Sequence, residues 1–410
     1  MKAGTRTFMP GAIYREDGMR LFICTSLKFP YGSAAANRLL AIGKMARESN
    51  IEPMVIACGE NIAEEYDEGL QAYQHNGVRY SNNGTANSMV GQLKAKSRTI
   101  RILDRYSPGQ NDIILIYSNV FYFAGGLAAH AKKSYGCKVI FDITEWHRPF
   151  QFNTGCFHPY YLSFLINTFF VMPEADGILC ISKYLSEKKM WKKVPRFILP
   201  SVLDVSSYGC SEGKHNKKKI YIYPGNPGKK DDFASMLKGF LLLSGNERKQ
   251  IEFHITSVKP QTLLVLLGKD AVLLDKLKDI MVFHDWMEYS ELLKLYSTAD
   301  FLLIAKQDNI VSRANFPSKA AELMACGVIP VITKVGDISQ YVTDQYDSLL
   351  IEEDAPELIV QAIRKSLSLS ESGIAAMRRN ARTTAETNFD YRVWSKRLVD
   401  FFEQIQGGAH

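Results

Sequence analysis

An alternation that runs along the chain twice constrains its fold more than any other feature. Short apolar runs are each followed by a longer amphipathic stretch; the series stops near residue 204 and restarts at 219. In the first half the strand candidates are Leu21–Thr25, Met54–Ala57, Ile113–Tyr117, Lys138–Phe141 and Ile178–Ile181. In the second they are Ile220–Tyr223, Ile251–Ile255, Ile280–Phe283, Phe301–Ile304 and Ile329–Thr333. Runs that are apolar at consecutive positions belong to strands buried on both faces, as in a parallel sheet covered by helices. Helices are expected over Ala34–Glu48 and Asp232–Leu243. The expected fold class is α/β, with two Rossmann-like domains facing each other across a cleft. Ligands of such sheets sit beyond the carboxyl ends of the strands. The expected boundaries are an N-terminal extension over 1–18, a first domain over 19–204, a linker over 205–218, a second domain over 219–387, and a helix over 388–410 that crosses back to the first domain. Phe389, Trp394, Leu398, Phe401 and Phe402 would share one face of that helix.

At 410 residues the chain suits two domains of roughly 100–200 residues each. With 46% hydrophobic and 23% charged residues it is not a disordered polymer. Its formal charge of +7 is small for a nucleic-acid binder, so no nucleic-acid partner is expected. That excess lies in one place: residues 183–219 hold ten basic and three acidic side chains. Within it, Lys188-Lys189-Met190-Trp191-Lys192-Lys193 mixes cations with apolar residues, as helices that rest on membranes do. A solvated helix face is the plainer reading, and peripheral contact with an anionic membrane through 183–196 is the other. Seven cysteines without a C-x-x-C pair exclude a disulfide framework and a structural zinc site and fit a reducing cytoplasm. The histidines show no metal-ligand spacing, so no metal is expected. The most apolar helical stretch, Tyr160–Met172, is shorter than the ~20 residues of a bilayer span. A cytoplasmic protein, at most lying at the inner face of the membrane, is therefore expected. The aromatic span His158–Phe170 is either core or an apolar surface.

Three segments carry candidate chemistry. Gly225-Asn226-Pro227-Gly228-Lys229-Lys230-Asp231 links a strand to a helix. Its glycines allow close backbone approach, while two lysines and the free N–H groups of a helix start suit a phosphate or pyrophosphate. It is not a P-loop, because Lys-Ser/Thr does not follow the second glycine. The second segment is Asn315-Phe316-Pro317-Ser318-Lys319-Ala320-Ala321-Glu322, which continues through Gly327 to the strand at 329. Ser318 is expected to cap a short helix, and Glu322, one turn in, is placed to accept hydrogen bonds from a ribose diol. The third is Phe141-Asp142-Ile143-Thr144-Glu145-Trp146-His147-Arg148-Pro149, dense in ionisable groups at a strand end that should face the cleft. Glu145 and His147 suit positioning a substrate or handling a proton.

With these segments in view, the sequence resembles the family-4 glycosyltransferases of the GT-B fold, of the bacterial surface-polysaccharide type. Pro317 to Ile332 follows that family's Pro-Ser-Lys-x-x-Glu-x-x-Ala-Cys-Gly-x-Pro-Val-Ile-like segment, and Gly225 to Asp231 follows its Gly-x-Pro-Gly-x-Lys-Asp-like turn. Phe29 to Arg38, Ile181-Ser182 and Asp337 to Leu350 are similar to weaker family features. The resemblance implies retaining transfer of a sugar from a nucleotide-diphosphate donor to a saccharide or lipid-linked hydroxyl acceptor, in polysaccharide or glycolipid synthesis. No cofactor beyond that donor is implied. Lys230 and Lys229 would stabilise the departing diphosphate, Gly32 and Ser33 would close over it, and Glu322 would hold the ribose. Gly225, Asn226, Gly228, Asn315, Phe316, Pro317, Ser318 and Lys319 would complete the sugar-nucleotide site. Two departures stand out. The family's first motif glutamate falls on Ala314, with Asp308 as a possible substitute from the same loop, and Asn226 occupies an arginine position. The competing readings are a nucleotide-sugar epimerase and a non-catalytic nucleotide-sugar binder. A dinucleotide-dependent oxidoreductase fails for want of G-x-G-x-x-G after the first strand.

Overall fold

The computed structural model describes residues 18–31, 33–59, 65–69, 71–84, 88–210, 217–228 and 230–408. Nine strands form the first sheet: β1 (Arg20–Lys28), β2 (Glu52–Cys58), β3 (Glu65–Asp67), β4 (Ala72–His75), β5 (Val78–Asn82), β6 (Ile113–Tyr117), β7 (Lys138–Ile143), β8 (Gly177–Cys180) and β9 (Arg196–Ile198). Their spatial order is β3-β4-β5-β2-β1-β6-β7-β8-β9. Six more form the second: β10 (Lys219–Pro224), β11 (Ile251–Thr256), β12 (Met281–His284), β13 (Phe301–Ile304), β14 (Ile329–Thr333) and β15 (Leu349–Ile351), ordered β12-β11-β10-β13-β14-β15. The second sheet is parallel throughout. The first is parallel except at one edge, where β3 and β4 pair antiparallel and β4 and β5 do the same.

The expected strands all appear, within a few residues of their expected bounds. The edge hairpin, β9 and β15 are additional. Their sequences are short or mix polar with apolar residues, as strands with a solvated side do, so consecutive-apolar patterning does not reveal them. The helix Ala34–Glu48 starts where Ser33 Oγ accepts from the Ala36 N–H at 3.1 Å. Its buried stripe of Leu39, Ile42 and Met45 lies against the first sheet. Each such side chain contributes about 1.5–3 kcal/mol by leaving water.

The helix expected from 388 is present and begins three residues later, at Tyr391. One helix runs Glu371–Asn388, the chain turns at Phe389 and Asp390, and a second helix runs Tyr391–Gly407. Asp390 caps the second through the Arg392 N–H at 2.9 Å. The first-domain strand segment ending at Leu203 meets this turn, with Leu203 N–H on the Phe389 carbonyl and Tyr391 N–H on the Leu203 carbonyl, both at 3.0 Å. The final helix then lies on the first sheet. Phe401 stacks on Phe197, and Leu398, Phe402 and Ile405 share a buried cluster with Leu21, Ile23 and Leu179. The helix packs closely over Gly177, where a Cβ would meet Ile405 Cδ1 at 2.3 Å and force that side chain to shift.

Candidate active site in the interdomain cleft

The carboxyl ends of the two sheets face a common cavity of about 530 Å³. From the first domain it is lined by residues just past β1 (Ser33), at the end of β6 (Tyr117), and in and beyond β7 (Asp142, Thr144, Glu145). From the second come Asn226 and Lys230 after β10, Lys306 after β13, and the run Asn315-Phe316-Pro317-Ser318-Lys319. That run leads into the helix Ser318–Ala325, whose N-terminal end therefore opens on the cavity. The cap is Pro317, and Ser318 is the first helical residue, which corrects the expected capping role. Phe316 is mostly committed to packing, edge-on to Tyr341 and Phe389.

The second-domain wall is organised around Asp231. Its carboxylate takes Lys306 Nζ at 2.7 Å and Lys319 Nζ at 3.1 Å, and it accepts from the Tyr223 hydroxyl. Lys319 also donates to the Tyr223 oxygen at 2.6 Å and sits over that ring. Burial works to raise the Asp231 carboxyl, but Lys306 and Lys319 overcome it and hold the group at about 2. Burial draws the Lys319 ammonium below its usual range, with Asp231 opposing. Two lysines held by one carboxylate leave net positive charge facing the cavity. The Gly225–Gly228 turn stands beside it. Both glycines have positive φ, +76° and +58°, which side chains rarely adopt. Asn226 Oδ1 accepts from the Gly228 N–H at 3.0 Å, so this residue shapes the turn. Gly225 and Gly228 support the lining without joining it.

The first-domain wall uses its ionisable groups differently. Asp142, at the end of β7, is consumed by a buried two-point pair with Arg38, at 2.8 and 2.9 Å. Arg38 also donates to the Leu199 and Pro200 carbonyls, so it clamps β7 to the chain leaving β9. Glu145 reaches across the cavity to Lys230, Oε1 to Nζ, at 2.6 Å. His147 lies behind it, 3.9 Å from Glu145 and 3.5 Å from the Tyr160 hydroxyl. Burial lowers its pKa, and Lys230 adds to that while Glu145 opposes it, so the imidazole is neutral near pH 7.

Glu322 sits one turn into its helix, behind the lining. It accepts from Asn37 Nδ2 of the first domain at 3.2 Å. Burial raises its carboxyl to about 6, against the Asn37 hydrogen bond and Lys319. Tyr208 and Tyr289, whose hydroxyls are 2.8 Å apart, stand close enough for Glu322 to raise their own pKa values. Ala314 is fully buried, and its carbonyl accepts from Ser182 Oγ across the domains at 3.0 Å. Asp308 is turned to the surface in a fork with Arg313, at 2.5 and 2.6 Å, and does not line the cavity, so it is no substitute for the missing glutamate. Gly32 and Lys229 lie outside the described residues.

Residues 211–385 match the family model of Glycosyl transferases group 1. That match spans the second domain, including the Gly225 turn and the Asn315–Lys319 run that line the cavity. Solved structures give the same fold over nearly the whole chain. The sucrose-phosphate synthase of Thermosynechococcus elongatus is 12% identical, with a TM-score of 0.72 over 95% of this chain and 100% of that one. A glycosyltransferase from Rickettsia africae is 13% identical, with a TM-score of 0.67 over 96% and 100%. HepE from Anabaena, in complex with UDP and glucose, is 13% identical, with a TM-score of 0.65 over 94% and 100%. No curated protein sequence matches the chain. The architecture is GT-B: two Rossmann-like domains facing across a cleft.

Sequence reasoning missed Lys306, Asn37 and the Arg38–Asp142 clamp. Lys306 had a usable signal, a lone cation two residues past the buried strand Phe301–Ile304, where ligands of such sheets bind. Arg38 closes the Phe29–Arg38 segment already noted, but its pairing with Asp142 leaves no local mark; Asn37, on the helix Ala34–Glu48, is locally like any other polar helix residue.

Proposed function

We propose that the protein is a GT-B glycosyltransferase of family-4 type. It moves a hexosyl group from a nucleoside-diphosphate donor to a hydroxyl of a saccharide or lipid-linked acceptor, with retention, in polysaccharide or glycolipid synthesis. The observation that carries this reading is the lysine wall: Lys230, Lys306 and Lys319 converge with the start of the helix Ser318–Ala325 on one side of the cavity.

In the reaction the bond between the anomeric carbon and the diphosphate oxygen breaks as the acceptor oxygen bonds to that carbon. The electron pair leaves on the diphosphate. The lysines and free N–H groups stand ready where this charge grows, and each well-placed group is worth roughly 3–4 kcal/mol. They supply the charge neutralisation that a divalent cation gives elsewhere, so neither metal nor cofactor enters the scheme. Glu322 takes the ribose hydroxyls in place of Asn37, and the diphosphate takes Lys230 in place of Glu145. Glu145, once released, and neutral His147 are the groups on the acceptor side able to receive the hydroxyl proton. Closure of the domains excludes water that would otherwise hydrolyse the donor.

Lys230→Ala and Glu322→Ala should each cut sugar transfer at least tenfold with the thermal melt nearly unchanged; wild-type-like turnover in both overturns the site. A second reading, a non-catalytic nucleotide-sugar binder, is favoured by buried Ala314 at the position of the family glutamate. Donor hydrolysis or transfer by the purified protein rules it out. Cytoplasmic placement at the inner membrane face belongs to the same proposal, and among the described residues no helix is long and apolar enough to cross a membrane.

A further inference from the structure

The segment Pro159–Val171 is one helical run, α-helical over Pro159–Ile166 and wider over Asn167–Val171. It has three faces. Tyr160 looks into the cavity beside His147. Ser163, Phe164, Asn167 and Thr168 are buried. The third face, Leu162, Ile166, Phe169 and Phe170, follows helical spacing, yet it is turned to solvent, with Phe170 75% exposed. Phe157, just before the run, is 80% exposed. The outward face of a helix in a globular protein is normally polar or charged. Here residues 159–171 contain no Asp, Glu, Lys or Arg.

The basic turn Lys188–Lys193 is fastened to this helix, because Trp191 is buried and its Nε1 donates to the Thr168 carbonyl at 3.0 Å. Lys188 lies over the rings of Trp146 and Tyr184. Lys189, Lys192 and Lys193 are exposed and form no ion pair among the described residues. The acidic groups nearby are largely answered: Asp176 pairs with Lys132 and Lys138, and Glu187 lies near Lys183.

We propose that this face docks on an anionic phospholipid bilayer, with the aromatic stripe among the headgroups and Lys189, Lys192 and Lys193 on their phosphates. A bilayer surface offers both chemistries: a plane of negative charge, and an acyl boundary about 5–10 Å below it. Lysine stems can lie along the apolar side while their ammonium groups remain in the charged layer. Because Tyr160, with His147 packed against it, is on the cleft side of this helix, docking brings the cavity mouth near the membrane. A lipid-linked hydroxyl acceptor then reaches it from the bilayer. That last consequence rests on the transferase reading, whereas the docking itself does not.

Co-sedimentation of the full chain with vesicles tests it. Binding is expected to vesicles of phosphatidylcholine mixed with phosphatidylglycerol, to weaken with added salt, and to be slight with phosphatidylcholine alone. Phe169→Ser/Phe170→Ser and Lys189→Ser/Lys192→Ser/Lys193→Ser should each lower partitioning by about tenfold or more. Lys269→Ser/Lys276→Ser/Lys278→Ser, an equal charge change on the second domain, should leave it unaltered. Binding that ignores lipid charge, or that is equal in all variants, overturns the proposal. So does a dimer that the Phe169→Ser/Phe170→Ser change converts to monomer without vesicles, which assigns the face to a second copy of the chain. The melt shift given by nucleoside diphosphates should be the same in every variant; its absence in all of them, with vesicle binding intact, counts against the transferase reading alone.

Discussion

On the second-domain wall, Asp231 gathers Lys306, Lys319 and Tyr223 within a single domain. On the first-domain wall, Glu145 and Asn37 reach across the cleft, to Lys230 and Glu322. The first arrangement persists however the domains move. The second requires an empty, closed cleft, and it occupies the two groups that a sugar nucleotide would claim. The difference separates a wall assembled within one domain from a wall whose polar groups lose their partners when the domains part.

The largest test of that contrast is Asp231→Asn. It leaves Lys306 and Lys319 buried without their carboxylate, so a loss of about 3 kcal/mol in denaturant unfolding is expected, together with loss of transfer. Adding Lys306→Met removes one of the unpaired cations and should restore part of the stability and none of the transfer. A single variant as stable as the parent breaks the claim that this wall is preassembled. Glu145→Gln should act in the opposite sense on binding. With Lys230 released, a nucleoside diphosphate should bind severalfold tighter in calorimetry, while transfer falls. Weaker binding would show that Glu145 is no placeholder. The Lys230–Glu145 pair itself is about a third exposed on each side, so removing it should shift the melt by less than about 1 kcal/mol.

Smaller effects come from Glu322. Its carboxyl is raised to about 6 in the folded protein, so sugar-nucleotide affinity should fall as pH is lowered through 6, and Glu322→Gln should flatten that profile. Stability moves the other way. A carboxyl whose folded pKa is raised contributes fully below its unfolded value and loses that contribution as pH rises through about 6. Glu322→Gln should therefore be more stable than the parent by about 1–2 kcal/mol above pH ~7, and equal to it below pH ~4.

The central strands were legible because a strand buried on both faces must be apolar at consecutive positions, and Ile113–Tyr117 or Phe301–Ile304 admit little else. The hairpin Glu65–Asn82 was not, since an edge with a solvated side loses that signature. Within the site, the Gly225 turn and the Pro317 segment stood out because a tight backbone turn and a helix start at a cleft leave a local pattern of glycine, proline and lysine. Lys306 is a single residue with no local pattern. Asn37 and Glu322 are 285 positions apart and meet only when the two domains close. Phe169 and Phe170 were as easily core as surface in the sequence, because apolar residues at helical spacing look the same on either side of a helix.

The most direct measurement of the central claim is thermal unfolding against a panel of nucleoside-diphosphate sugars. A ligand at 100 times its dissociation constant adds about 2.7 kcal/mol to the folded state. At least one member of the panel should give such a rise, and Lys306→Met/Asp231→Asn should abolish it. No rise with any sugar nucleotide, or a rise that survives undiminished in that double variant, contradicts the assignment of the second-domain wall as the diphosphate site.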